Sequence, residues 1–332
     1  MCPQQYFLEY VLGMKSPSNK KADKGTICHK ALEILAVIKQ GLQNEESVVQ
    51  DDILGSVHTT NYSLDVIIEQ VYQYYTSNFT HHVWEEKDYK DCKSWVYKAL
   101  TDNNGNFDPR TRNIIQPEQR FDIVIDKPWA KYKYTDQNTI LEGSLAIKGT
   151  IDLITQVSED TLEIIDWKTG KRLDWATGKP KTLEKLHDDA QLRIYHYAIS
   201  KIYPQYKHLI VSIDFINDGG VFSICFDESD LSKTEDMLRA KFEIIKNTQV
   251  PHLNKTWKCS KLCHFGKSTF AESNILPIVE YRDHQTTKID QCMTKCEQIK
   301  HDIDIQGVNN VIDKYRTPGY TVGKYKAPGT TE

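Results

Sequence analysis

The sequence lacks the features that would place the chain in a membrane, outside the cell or in a repeat class. No apolar run approaches the roughly 20 residues of a membrane-spanning helix, and the N-terminus has no secretory pattern of basic, apolar and small residues. Eight cysteines in 332 residues are too few for a disulfide scaffold. We therefore expect a cytoplasmic protein with reduced thiols and no membrane partner.

The chain also has no large excess of charge of one sign. Its formal net charge is −4, and its 39% hydrophobic and 27% charged residues are typical of soluble globular proteins. Such a protein does not bind polyanions by bulk charge, but a local basic track would still attract phosphate within a Debye length. The length suits one large domain with appendages, or two modest domains.

Periodic patterns divide the chain into N-terminal helices followed by strands and further helices. Helical spacing predicts helices over 1–13, 25–40, 63–80, 84–100, 191–202 and 229–247, and alternation predicts strands over 115–127, 140–155, 161–168, 208–216 and 220–226. This order predicts an α/β fold with a mixed central β-sheet flanked by helices. We expect a principal domain over 1–272, a helical extension over 273–315 and a disordered tail over 316–332.

Two predicted strands carry acids and an amine at one end. Segment 147–154 reads IKGTIDLI and contains Asp152, whereas segment 162–170 reads LEIIDWKTG and contains Asp166 and Lys168. Because side chains alternate along a strand, the second carboxylate and the amine share one face. A tight turn between the strands would set Asp152 nearly opposite Asp166, with the carboxylates within about 5–8 Å of each other.

Two carboxylates this close repel each other unless a cation lies between them. Their oxygens suit Mg²⁺ or Mn²⁺, and such an ion activates water and neutralises charge that develops on a phosphate. Lys168 would orient the attacking water or stabilise the pentacovalent phosphate. The alternative is a pair of ordinary edge-strand aspartates with the lysine as a surface partner, but the surrounding G-x-I-D and T-G patterns favour the metal site.

Four motifs in chain order resemble those of RecB-like nucleases of the PD-(D/E)XK superfamily, which include CRISPR-associated exonucleases. GTID, ending at Asp152, resembles the second motif, and IDWKTG, over 165–170, resembles the third. GTICH, ending at His29, is similar to the G-x-x-x-H motif, and QLRIY, from Gln191 to Tyr195, is similar to the Q-x-x-x-Y motif. The resemblance covers residues 1–265 and implies a restriction-endonuclease-like core.

The resemblance implies a set of catalytic residues, namely Asp152, Asp166, Lys168, Gln191 and Tyr195. It also implies four metal ligands, which are His29, Asp152, Asp166 and the backbone carbonyl of Trp167. Gln191 and Tyr195 are four residues apart and project from one helix face, where an amide and a phenol suit contacts with a DNA phosphate or with the lysine. The alternatives are that His29 is a polar residue at a helix edge and that Tyr195 is simply buried beside the sheet.

Glu118 matches a glutamate of an early family strand only loosely, so the sequence favours a solvent-exposed strand residue there. The loop after the catalytic strand holds four basic residues that would follow a nucleic-acid backbone beside the metal. They are Lys171, Arg172, Lys179 and Lys181. A solvated loop explains these four residues equally well.

Some RecB-like families carry an iron–sulfur cluster on four cysteines, and part of that pattern is present. Cys2 begins a C-P motif, and Cys259 and Cys263 fall where later ligands are expected. No further cysteine follows within a few residues, although a [4Fe–4S] cluster normally needs four thiolates. Cys292 and Cys296 would complete a set for a cluster or for zinc, but they lie at helical spacing in an apolar stripe, so packing is the favoured interpretation. The sequence therefore favours the absence of a cluster.

These observations predict a Mg²⁺- or Mn²⁺-dependent deoxyribonuclease in the cytoplasm of a bacterium or of a phage-infected host cell. From the resemblance we expect an exonuclease that acts in DNA recombination, repair or phage DNA processing, with DNA and other recombination or replication proteins as partners. The alternative from another class is an inactive nuclease fold that serves as a DNA-binding or recombination accessory protein. Such proteins usually lose an acid or the lysine, and this chain retains them all.

Overall fold

The computed structural model describes residues 2–136, 139–174, 178–218, 220–248, 250–266, 281–282, 285–286 and 294–320. The chain forms two compact units. The larger unit is Asn19–Ile245, and the smaller unit combines Met1–Ser18 with Lys246–Glu332. The boundary expected at residue 272 lies outside the described residues.

A five-stranded mixed sheet forms the centre of the larger unit. The strands in chain order are β1 (Val48–Asp51), β2 (Gly55–His58), β3 (Ile114–Val124), β4 (Lys131–Asp136), β5 (Thr139–Ser144), β6 (Ala146–Gln156), β7 (Thr161–Lys168), β8 (His208–Phe215) and β9 (Gly220–Phe226). The central sheet has the order β3-β6-β7-β8-β9, with β7 and β8 parallel and the other neighbours antiparallel. The five strands predicted from alternation are present. The predicted strand 140–155 is wrong in one respect, because it is divided into β5 and β6, and β5 pairs with β4 in a separate hairpin.

Within the described residues up to Asn247 the chain forms seven α-helices, and side-chain caps fix several of their starts. They are α1 (Pro3–Tyr6), α2 (Lys20–Gln43), α3 (Leu64–Asn78), α4 (Glu86–Thr101), α5 (Leu183–His187), α6 (Ala190–Ile202) and α7 (Glu228–Asn247). Helix α2 begins before the predicted residue 25 because the Asn19 side chain accepts a hydrogen bond from the Ala22 N–H, which caps the helix. Asp189 caps α6 in the same way through the Gln191 N–H.

The sheet separates two hydrophobic cores, so both of its faces are covered by helices. Ile165 and Trp167 of β7 pack in the first core with α2, α3 and α4. Leu162 and Ile164 pack in the second core with α5, α6 and α7. This alternation along one strand confirms a mixed α/β architecture of the restriction-endonuclease type.

The smaller unit has its own hydrophobic cluster, built from the π-helical turn Phe7–Val11, Phe265 and the helices Lys295–Gln306 and Val308–Tyr315. Gly13, with φ of +70°, allows a close approach of the Tyr320 ring, because a Cβ atom there would lie 2.3 Å from the ring. Thr317 N–H donates to the Leu12 carbonyl at 2.7 Å. The rest of the predicted tail, 321–332, lies outside the described residues. Within the part of the chain that is described, no helix combines the length and apolar character needed to cross a bilayer.

Candidate active site

The β6–β7 hairpin brings the two aspartates together. Leu153 pairs with Ile165, and the same register places Asp152 opposite Asp166 at the point where the two strands cease to pair. There the Trp167 N–H donates to Asp152 Oδ2 at 3.0 Å instead of continuing the backbone ladder. At the end of the hairpin, the Asp152 carboxylate of β6 is therefore hydrogen-bonded to the backbone of β7.

Asp166 is fully buried, and its charge is only partly compensated. Lys168 Nζ donates to Oδ1 at 2.9 Å and lies 2.7 Å from Oδ2. The second contact lacks hydrogen-bond geometry, so Oδ2 accepts no hydrogen bond from the described residues. Burial, together with the negative charge of Asp152, raises the pKa of Asp166 to about 6, against the opposing effect of Lys168.

Asp152 is held by a histidine of α2. His29 Nδ1 lies 3.3 Å from Asp152 Oδ2. Burial alone would raise the pKa of Asp152, but His29, Lys168 and the Trp167 N–H outweigh it and lower that pKa. Burial alone would likewise lower the pKa of His29, and the charge of Asp152 outweighs it and raises that pKa. The histidine from the predicted G-x-x-x-H motif thus reaches the carboxylates.

Helix α6 contributes a tyrosine and a glutamine to the same place. Gln191 Nε2 donates to the Tyr195 hydroxyl at 2.7 Å. That hydroxyl donates to the Thr150 carbonyl at 2.9 Å and lies 3.4 Å from Asp166 Oδ1. Burial, followed by the charge of Asp166, raises the pKa of Tyr195, so the phenol keeps its proton. The structure brings both residues of the predicted motif to the acid pair, and their catalytic roles stay predictions.

A cleft of about 420 Å³ is lined by His29, Asp152 and Lys168, and it contains two further acids that the sequence analysis did not assign to the site. Glu118 lines it, with its pKa raised to about 7 by burial and by the charges of Glu33 and Asp152. The favoured interpretation of Glu118 as a solvent-exposed residue is wrong, because this residue has φ of 46° in an irregular stretch of β3. Glu33 also lines the cleft, and its spacing of four residues from His29 on α2 was the available signal.

The basic residues of the next loop adjoin a second, smaller cleft of about 160 Å³, which shares Lys168 and Gly170 with the first. Lys171, Arg172 and Lys181 line this cleft, and Lys179 is exposed. Lys181 is paired with Asp189 at 2.6 Å. The Arg172 guanidinium lies over the Phe222 ring, 4.2 Å from its centroid. A positively charged surface thus begins where the acidic cleft ends.

The donor types present at this site are those that bind a divalent ion. A buried carboxylate faces a half-buried one, one carboxylate oxygen accepts no hydrogen bond from the described residues, and an imidazole lies beside the pair. A cation held by Asp152, Asp166, His29 and the Trp167 carbonyl would offset the burial of Asp166 and its repulsion from Asp152, which together raise the pKa of Asp166. Carboxylate and carbonyl oxygens favour Mg²⁺ or Mn²⁺.

The smaller unit gathers four cysteines. Cys296, buried in the cluster around Phe265, lies near enough to Cys263, Cys2 and Cys259 for their charges to add to the effect of burial, which raises its pKa to about 12. Cys292 lies outside the described residues. Cys296 thus packs in an apolar cluster, as the sequence favoured. It also lies near the other three thiols, which the sequence did not indicate.

Comparison with known proteins identifies the class to which this fold and cleft belong. The family model of the PD-(D/E)XK nuclease superfamily matches residues 1–267. The chain therefore belongs to the PD-(D/E)XK nuclease superfamily. Among solved structures, the crystal structure of SSO0001 is 16% identical and the match covers 69% of this chain and 92% of that one, with a TM-score of 0.24, a likeness too low to support any argument. No curated protein matches the chain.

Proposed function

We propose that the protein is a Mg²⁺- or Mn²⁺-dependent deoxyribonuclease that hydrolyses phosphodiester bonds in the cleft between α2 and the β6–β7 hairpin. The observation that supports this most directly is the meeting of Asp152 and Asp166 beside Lys168, with Asp166 Oδ2 accepting no hydrogen bond from the described residues. A divalent ion bound there would polarise the phosphate and lower the pKa of a bound water.

The side chains around the acid pair would have separate roles in the reaction. Burial alone would lower the pKa of Lys168, but Asp166 and Asp152 outweigh it and raise that pKa. The amine is therefore a cation at neutral pH, which suits it to orient water or stabilise phosphate charge rather than to accept a proton. Tyr195 and Gln191 hold the Asp166 side chain and the neighbouring backbone in place.

The second cleft gives the direction in which DNA would leave the acidic cleft. Because Lys168 and Gly170 line both clefts, the clefts adjoin, and a phosphate backbone in the basic cleft would lie next to the acidic one. Lys171 and Arg172 would contact phosphates there. Exonuclease action, a role in recombination, repair or phage DNA processing, and protein partners from those processes rest on the RecB-like resemblance.

We propose further that Cys2, Cys259, Cys263 and Cys296 hold an iron–sulfur cluster, which reverses the preference drawn from the sequence. Cys296 supplies the fourth thiol that the sequence pattern lacked. A single zinc ion would need sulfurs about 3.8 Å apart, from Zn–S bonds of about 2.3 Å. Among the described residues no three cysteine sulfurs lie within 4.8 Å of one another, so the thiols do not have the spacing of a single zinc ion. Brown protein with broad visible absorbance, lost in Cys296→Ser and retained in the exposed Cys225→Ser, would support it; colourless anaerobically purified protein would refute it.

The nuclease proposal is tested by digestion of labelled single- and double-stranded DNA with Mn²⁺. Asp166→Asn and Lys168→Met should each abolish cleavage. Asp160→Asn and Lys148→Met are matched controls, because these residues lie in the same hairpin but are exposed. Equal activity in all five proteins would exclude the proposed site. Inactive wild-type protein that still binds DNA would favour the alternative, an accessory protein on an inactive nuclease fold.

A further inference from the structure

A second group of metal-binding side chains lies in the larger unit, away from the acid pair. The segment between α3 and α4 carries His81 and His82, and it folds against the first turn of α2, where Asp23 is located. His82 Nε2 lies 2.7 Å from Asp23 Oδ2, and His81 Nε2 lies 3.4 Å from the same oxygen. Two imidazoles from adjacent residues therefore converge on one carboxylate.

The spacing of the three groups suits a single ion. Among the described residues, this is the one group of three His, Cys, Asp or Glu side chains whose ligand atoms all lie within 4.8 Å of one another. Ligand bonds of about 2.0–2.1 Å in a tetrahedral zinc site place neighbouring ligand atoms about 3.4 Å apart. The His81 separation already has that value. The His82 separation is that of a hydrogen bond and would have to widen by several tenths of an ångström.

The donor types indicate which metal would bind. Two imidazole nitrogens with one carboxylate suit Zn²⁺ and related transition metals, whereas Mg²⁺ and Ca²⁺ favour oxygen donors. Each imidazole would present the Nε2 lone pair and keep its proton on Nδ1, so binding releases any proton that Nε2 carries. Three protein ligands leave a fourth position for water.

The surroundings hold the ligands in place and leave a path for the ion. The Asp23 side chain is 4% exposed and begins on a helix turn, whereas His81 is 40% exposed. The His82 ring lies edge-on to Trp84, with centroids 5.6 Å apart. Two lysines that flank Asp23 on α2 already have acidic partners: Lys20 and Lys24 are paired with Asp88, and Lys24 also with Asp91.

We propose that Asp23, His81 and His82 form a zinc-class site that fastens the α3–α4 segment to the start of α2. This site is separate from the carboxylate pair and does not depend on the proposed nuclease activity. Its consequence for the cleft is positional. His29 follows Asp23 on the same helix, so an ion that fixes the first turn of α2 also limits how far the cleft wall can move.

The test measures zinc bound per chain. Chelator-treated full-length protein is dialysed against Zn²⁺ with excess Mg²⁺, and bound metal is measured by mass spectrometry. The double variant His81→Gln/His82→Gln should bind one zinc fewer per chain than wild type. His208→Gln is the matched control, because His208 also pairs with an aspartate, at 3.7 Å, but at an exposed position. Asp152→Asn/Asp166→Asn should keep this zinc.

Thermal unfolding provides the second measurement. Zn²⁺ should raise the unfolding midpoint of wild type and of His208→Gln by more than that of the double variant. Because the double substitution also removes hydrogen bonds, the exposed His81 is changed alone as well, and His81→Gln should weaken zinc binding at least about tenfold through the loss of one ligand. An unchanged zinc count in the double variant overturns the proposal. The double variant could also have an unfolding midpoint that is lower than that of wild type by the same amount with and without Zn²⁺. That result would mean that the three side chains form only a hydrogen-bonded cluster, and it also overturns the proposal.

Discussion

Two buried acids on β7, Glu163 and Asp166, differ in the charged groups that surround them. Glu163 is bound by the Arg112 guanidinium, and it accepts a hydrogen bond from the Ser212 hydroxyl at 2.5 Å. Asp166, three residues further along the strand, has a half-buried lysine and faces a second carboxylate, that of Asp152. The charge of Glu163 is matched by its own arginine, whereas Asp166 has one lysine beside two neighbouring carboxylates.

The difference shows how a fold can distinguish structural from functional charge. A buried ion that is matched by fixed donors contributes to a single arrangement of the core, whereas a buried like-charged pair raises the free energy of the folded state until a cation arrives. Strand β7 therefore contains a carboxylate with a fixed arginine partner, Glu163. Near its end it contains Asp166, which together with Asp152 suits an exchangeable metal ion. The predictions below test whether these two acids respond differently to loss of a partner, to metal and to pH.

The largest expected effect on stability comes from removing the partner of Glu163. Arg112→Met leaves a buried carboxylate without its cation and should lower the free energy of unfolding by about 3 kcal/mol. Arg112→Met/Glu163→Gln should recover more than half of that loss, because the uncompensated charge is gone. Urea unfolding of both variants measures the difference. If the double variant is no more stable than the single one, Glu163 is not held by charge compensation.

A metal should act on Asp166 and not on Glu163. At Mn²⁺ concentrations about 100 times the dissociation constant, wild type should gain about 2.7 kcal/mol of stability. Asp166→Asn should lose this gain and, without metal, be at least as stable as wild type, because one of two repelling charges is removed. Glu163→Gln should show the reverse, a lower stability without metal and an unchanged response to Mn²⁺. Thermal unfolding of the three proteins, with Mn²⁺ and with a chelator, measures these differences in stability. A full Mn²⁺ response in Asp166→Asn would contradict the proposed metal site.

Much of the hairpin that carries this comparison was predictable from the sequence. The short polar turn at 158–161 fixes the register of the two strands, and alternation then places Asp152 opposite Asp166 and separates Trp167 from Lys168. Strong patterns of this local kind also gave the five strands of the central sheet. They depend only on neighbouring residues, so one sequence is enough to find them.

The remaining features depend on contacts between distant segments. Glu118 reaches the cleft because β3 changes register near Ile114 and departs from regular strand geometry, which no local pattern signals. Cys296 is 33 positions after Cys263 along the chain, so its proximity to the other thiols depends on how the smaller unit folds. The division of the predicted strand 140–155 likewise follows from pairing with β4, a strand that was not predicted.

His196 is a buried base that stays neutral at pH 7, unlike the two buried acids of β7. Burial lowers the pKa of His196 to about 4 from an ordinary 6.5, although Asp230 and Asp227 oppose this and Arg193 and His187 add to it. A lowered pKa in the folded state gives stability that is complete above pH 6.5 and is lost as the pH falls toward 4. Between pH 7 and pH 5 this loss should be about 2 kcal/mol.

The measurement is the pH dependence of the free energy of unfolding. His196→Phe, which retains an aromatic ring against Phe226, should show a decline between pH 7 and pH 5 that is smaller by this amount. The exposed His208→Gln should decline as wild type does. The same slope in His196→Phe and wild type would mean that His196 is not held neutral by burial.

The smallest effect should come from the hydroxyl that steadies Asp166. Tyr195→Phe removes the contact with Asp166 Oδ1 and the hydrogen bond to the Thr150 carbonyl, so the carboxylate loses a restraint but keeps its position in the hairpin. DNA cleavage should fall about tenfold, equivalent to about 1.4 kcal/mol. Tyr197→Phe, on the same helix but bonded to Glu235, is the matched control and should cleave at the wild-type rate. A loss as complete as that of Asp166→Asn would mean that the tyrosine acts on the substrate itself and not through the aspartate.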